Sequence, residues 1–122
     1  MKTILALALV AVLAFPVLAK EKGGKEVSIN GEIIDIKCYS TITGGHGADH
    51  EECALNCIKG GLPVGLLQDK TNKVYLVVPA KGMKGANEEL TPFVAKKVTL
   101  KGKIVEKGGQ KTFLYSSVEL AK

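Results

Sequence analysis

Val27-Ser28-Ile29-Asn30-Gly31-Glu32-Ile33-Ile34-Asp35-Ile36-Lys37-Cys38 is the stretch on which the reading of the fold turns. Val27, Ile29, Gly31 and Ile33 share one parity, then Ile34, Ile36 and Cys38 take over on the other, so a period-two strand pattern slips once beside a glycine. A slip of that kind predicts a β-bulge in the first strand. A strand this long and bent can take part in two sheets, as a small closed barrel requires. On this reading the strand runs as far as Cys38 and places its thiol on the face of Ile34 and Ile36.

Immediately beyond lie all the remaining cysteines and all the histidines, so that Cys38, His46, His50, Cys53 and Cys57 fall within twenty residues. Residues 39–48 are rich in Gly and Thr and read as a loop. A helix is then signalled: Asp49 as N-cap, Glu51 and Glu52 in the first turn where the helix dipole favours acids, and Gly60-Gly61 as the stop after Lys59. His50, Cys53 and Cys57 stand at i, i+3 and i+7, about 0°, 300° and 340° around the axis, which puts them on one narrow face. So short a helix is marginal alone in water, and packing, a bridge or a bound metal has to hold it.

Further along, residues 62–67 and 73–78 read as two strands joined by the polar connector Gln68-Asp69-Lys70-Thr71-Asn72. Asn87 to Ala95 reads as a short helix capped by Asn87, with Pro92 ill placed inside it. Val98, Leu100, Gly102 and Ile104 alternate with polar residues, Gly108-Gly109 turns the chain, and Thr112 to Leu120 closes the set. Five strands, a helical insert between the first and second, and a short helix between the third and fourth follow the order of the OB-fold, a five-stranded Greek-key barrel. A two-sheet sandwich is the alternative, and Gly31 and Gly102 fall where strands of a barrel bend sharply.

The sequence also resembles small exported bacterial proteins that join an OB-like barrel to a cysteine-rich helical insert. The resemblance is carried by Gly31 to Tyr39, by His50-Glu51-Glu52-Cys53-Ala54-Leu55-Asn56-Cys57, by Gly61 to Leu67 and by Gly102-Lys103-Ile104-Val105. It implies the barrel and an exported location, and assigns no activity.

Cys38, Cys53, Cys57 and His50 form a Cys3His set suited to a transition metal ion such as zinc, iron or copper, with His46 as the alternate imidazole. Cys-x3-Cys is not the Cys-x2-Cys of a zinc finger, and no second pair follows. The rival reading is a disulfide between Cys38 and Cys53 or Cys57, stapling a periplasmic binding module that holds no metal. Dithiol redox exchange lacks a Cys-x-x-Cys motif, and covalent haem lacks Cys-x-x-Cys-His. Glu51 and Glu52 read as helix-start acids, no spacing suggests hydrolysis, and Tyr39 is the aromatic expected to border the site.

Residues 1–19, with Lys2, an apolar run from Ile4 to Phe15 and Val17-Leu18-Ala19, read as a secretory signal peptide, so the mature chain begins at Lys20 as one domain over 20–122. That predicts a periplasmic or secreted protein without a membrane span after signal removal. Three cysteines in an oxidising compartment cannot all pair within one chain. The protein has 17 basic residues, all lysine, against 12 acids, and an excess without arginine argues against nucleic acid as a partner. A protein partner in the periplasm is the expected kind.

Overall fold

The computed structural model describes residues 24–122. The expected signal peptide and the first residues of the mature chain lie outside the described residues. Five strands close a barrel in the order β1-β2-β3-β5-β4, with β1 at Glu26–Asp35, β2 at Val64–Gln68, β3 at Val74–Pro79, β4 at Lys97–Lys107 and β5 at Gln110–Leu120. All neighbours are antiparallel except β3 and β5, which run parallel. This is the OB-fold-like Greek-key barrel, with the cysteine- and histidine-bearing insert between β1 and β2. The sandwich alternative falls with the closure.

β1 serves two neighbours, as expected. Its first half pairs with β4 from Glu26 to Glu32, its second half with β2 from Gly31 to Asp35, and the two registers overlap at Gly31 and Glu32. Both registers are regular, so the expected bulge in this strand is absent. The only register shift between paired strands among the described residues falls in β4 against β5, at Lys101/Gly102. The parity slip has a different cause: from Gly31 to Asp35 every residue of β1 is buried, because one face lines the barrel and the helical insert covers the other. The bend in β4 centres on Gly102, where a Cβ would stand 2.0 Å from the Leu114 carbonyl oxygen.

Three short α-helices decorate the barrel: α1 at Ile36–Thr41, α2 at Glu51–Lys59 and α3 at Asn87–Leu90. A 3-10 turn at Ala48–His50 leads into α2, and another at Thr91–Phe93 follows α3 and takes up Pro92. The core unites Ile33, Leu66, Val77, Leu100 and Phe113 from the strands with Ala54 and Ile58 from α2 and Leu90 from α3. Tyr75 and Phe113 meet edge to face at 6.2 Å, a favourable aromatic geometry. Gly108-Gly109 form the two-residue turn between β4 and β5.

α2 ends where expected and in a recognisable way. Gly61 takes φ 95°, the Gly61 N–H donates to the Ile58 carbonyl and the Leu62 N–H to the Cys57 carbonyl, both at 3.0 Å, completing a Schellman motif. Asn87 does not cap its own helix. The N-cap of α3 is Ala86, and the Asn87 amide instead donates to the Ile58 and Leu62 carbonyls at 2.8 and 2.7 Å. Ile58 is in the last turn of α2 and Leu62 just beyond its cap, so Asn87 ties the end of α2 to the start of α3 in place of a local cap. Among the described residues no helix is long and apolar enough to cross a membrane.

Candidate metal centre

Asp35 ends β1 and begins α1. Its Oδ1 accepts the Cys38 N–H at 3.1 Å as an N-cap, so the strand stops three residues before Cys38 and the thiol rides on a helix, not on the strand as expected. Cys38 is 8% exposed, and the turn it occupies is held from the other side by the loop before α2. There the buried Gly45 lies flat on the α1 backbone, and a Cβ on it would come 2.3 Å from the Cys38 carbonyl oxygen.

α2 packs Ala54 and Ile58, one turn apart, into the barrel core. Cys53 and Cys57, also one turn apart, are displaced from that face toward α1, with Cys53 exposed and Cys57 half-buried. The Cys38 sulfur stands 3.9 Å from that of Cys53 and 4.0 Å from that of Cys57. All three thiols are free, and the disulfide expected on the rival reading is not formed. Their sulfurs lie within 4.8 Å of one another.

Asp49 lies in the 3-10 turn and caps nothing; His50 is the residue that precedes α2. Its side chain therefore turns to β1, where Nε2 comes 3.6 Å from Asp35 Oδ2. Donor atoms of Asp35, Cys38 and His50 form a second group within the same 4.8 Å limit, so Cys38, Cys53, Cys57 and His50 cluster with Cys38 as the common member. Asp35 is fully buried, and its Oδ2 and His50 Nε2 are the buried side-chain polar atoms left without a hydrogen-bond partner among the described residues. Orphaned polar atoms in such a place are costly unless a further group meets them.

Without an ion the Cys38 thiol is held protonated. The Asp35 carboxylate, then burial, then the neighbouring thiols of Cys53 and Cys57 push it up to about 12. A metal has to displace that proton, because the thiolate is the ligand.

His46 is placed elsewhere. It is half exposed, its Nδ1 is 3.6 Å from Oε2 of the buried Glu32, and its ring leans on Tyr39 at 5.8 Å. It belongs to neither donor group. Tyr39, expected to border the site, follows Cys38 in α1 and packs its ring against His46, outside both donor groups.

Asp35 is the member that reading the sequence passed over. Its signal was present, an acid within an apolar run and three residues before a cysteine, the spacing of an N-cap to a first helical turn. Ile33, Ile34 and Ile36 around it are β-branched and read as strand, which hid the helix start. Comparison with protein-family models, with curated proteins and with solved structures returned no match to this chain.

Proposed function

We propose that this is an exported metal-binding protein whose insert holds a thiophilic transition metal ion on Cys38, Cys53 and Cys57, with His50 at hand as a nitrogen ligand. The carrying observation is the sulfur spacing: 3.9 and 4.0 Å from Cys38 to its two neighbours. A tetrahedral ion with bonds of about 2.3 Å to sulfur needs sulfurs about 3.8 Å apart, so the thiols are set for an ion with little movement.

Two features favour carriage over a purely structural clamp. α2 is already anchored by Ala54 and Ile58 in the core and by the Asn87 clasp, so the insert has a hold on the barrel that no metal supplies. Cys53 is exposed, which leaves one ligand open to exchange with a thiol-bearing protein partner in the periplasm. An open, partly solvated coordination sphere suits transfer, whereas structural zinc is closed.

The same close approach of sulfurs supports a second reading, a stapled binding module. Cys38 is almost equidistant from two thiols, and either bridge leaves one cysteine free.

Elemental mass spectrometry on protein from its native compartment, with free thiols counted after chelation and unfolding without reductant, tests the proposal. Bound transition metal with three titratable thiols supports it. Absence of metal with one free thiol overturns it in favour of the stapled module, and the mass of the same sample tests whether the chain begins at Lys20.

A further inference from the structure

Five donors meet at this site, and one tetrahedral ion uses four. Among the described residues the donors fall into two triples, Cys38-Cys53-Cys57 and Asp35-Cys38-His50, which share only the Cys38 sulfur and do not merge into one group. An ion held by the three sulfurs alone leaves Asp35 Oδ2 and His50 Nε2 still unpartnered, one fully buried and the other on a side chain 10% exposed, and His50 is grouped with Asp35 and Cys38 and not with Cys53 and Cys57. Both lie on the inner side of Cys38, toward the end of β1.

We propose that the cluster is a two-ion site in which the Cys38 thiolate bridges a sulfur-bound ion and a second ion held by Asp35 and His50. This rests on the metal-binding reading above and deepens it. The pairing of donors selects the ion. A carboxylate, an imidazole and a shared thiolate suit a borderline divalent ion of the zinc, cobalt or ferrous class, and are a poor set for Cu(I), which favours sulfur.

Charge points the same way. Cys38, Cys53 and Cys57 as thiolates and Asp35 as carboxylate carry four negative charges, and two divalent ions balance them, whereas one ion among the sulfurs leaves the fully buried Asp35 carboxylate without a cation of its own. Uncompensated buried charge is strongly unfavourable. On loading, the three thiols give their protons to solvent and each ion enters as the divalent cation, with no change of oxidation state. Asp35 Oδ1 continues to cap α1 while Oδ2 serves the ion, so a single carboxylate orients the turn that carries the bridging sulfur.

Cobalt(II) chloride, titrated anaerobically into the reduced, metal-free full chain, supplies the test, with sulfur-to-cobalt charge-transfer absorption, electron paramagnetic resonance and cobalt content after desalting as readouts. The expected result is two equivalents retained, with the resonance signal per cobalt falling as the second equivalent couples to the first through the thiolate. Asp35→Asn keeps an Oδ1 acceptor for the Cys38 N–H, and should retain one equivalent, the charge-transfer band and an uncoupled signal. His50→Gln should do the same and stands in if the Asp35 variant fails to fold.

One equivalent in the unmodified chain overturns the two-ion proposal and leaves the single thiolate site standing. Two equivalents that persist in both variants overturn it as well, placing the second ion elsewhere. No retained cobalt and no charge-transfer band overturn the metal reading itself.

Discussion

Two carboxylate–imidazole pairs hang from β1, Glu32 with His46 and Asp35 with His50, and each pair is separated by 3.6 Å. Glu32 is spoken for: its Oε1 accepts the Gly47 N–H at 2.5 Å, and its histidine is half exposed and leans on Tyr39. Asp35 is fully buried, its free oxygen faces a nearly buried imidazole, and neither atom is satisfied. Asp35 shares a donor group with the Cys38 thiol, which two further thiols approach; Glu32 belongs to no such group. Distance alone does not make a site. What separates a surface ion pair from a ligand set is whether solvent or protein already meets each polar atom, and what else lies within reach.

Substitution at the shared sulfur tests that contrast most severely. Cys38→Ser removes the member common to both donor groups, and metal retained after desalting should fall to less than about a tenth of the unmodified level, by the cost of losing a thiolate ligand. His46→Ala should retain full metal. Equal loss in the two variants would break the comparison, since it would make the exposed pair part of the centre.

Thiol chemistry sharpens it. In metal-free protein at pH 8, iodoacetamide should alkylate Cys53 at least about tenfold faster than Cys38, read by peptide mass spectrometry over time, because only the thiolate reacts. The raised pKa of about 12 keeps the Cys38 proton on at pH 8 and releases it only as the pH climbs toward that value. Its labelling should therefore accelerate steeply across the alkaline range, after the ordinary thiol value of 9.0 has been passed. A Cys38 that reacts as fast as Cys53 would mean the buried pair does not govern it.

The insert's independence from metal is open to a stability measurement. Asn87→Ala removes a donor from each of the Ile58 and Leu62 carbonyls, the first of which keeps the Gly61 N–H, and should lower the stability of the metal-free protein by about 1–3 kcal/mol in urea unfolding. An unchanged midpoint would show that the clasp contributes nothing to securing α2, leaving Ala54 and Ile58 as its hold on the barrel. The smallest effect is expected at the other carboxylate. Glu32→Gln keeps an oxygen for the Gly47 N–H, and should shift stability by less than about 1 kcal/mol with metal content unchanged.

Much of this was legible in residues alone. Alternating apolar patterns in β4 and β5, the Gly108-Gly109 turn and the polar connector between β2 and β3 each report a local preference that the fold respects. So do Gly60-Gly61 at the end of α2. Ile33 and Ile34 misled because burial on both faces erases alternation, and a strand covered on both sides looks in sequence like one that has slipped. Asn87 misled because a good cap residue can satisfy a neighbour's helix end instead of its own.

The sequence by itself determined the succession of strands along the chain, the position of the insert and the concentration of thiols and imidazoles in it, because these follow from periodicity, turn chemistry and composition along the chain. Only the tertiary structure decided which imidazole joins the sulfurs, and that Asp35 joins them too. Those choices depend on where β1 ends against α1 and on how α2 is turned when Ala54 and Ile58 seek the core. Such contacts join residues far apart in the chain, and no local pattern records which polar atoms burial will leave without a partner.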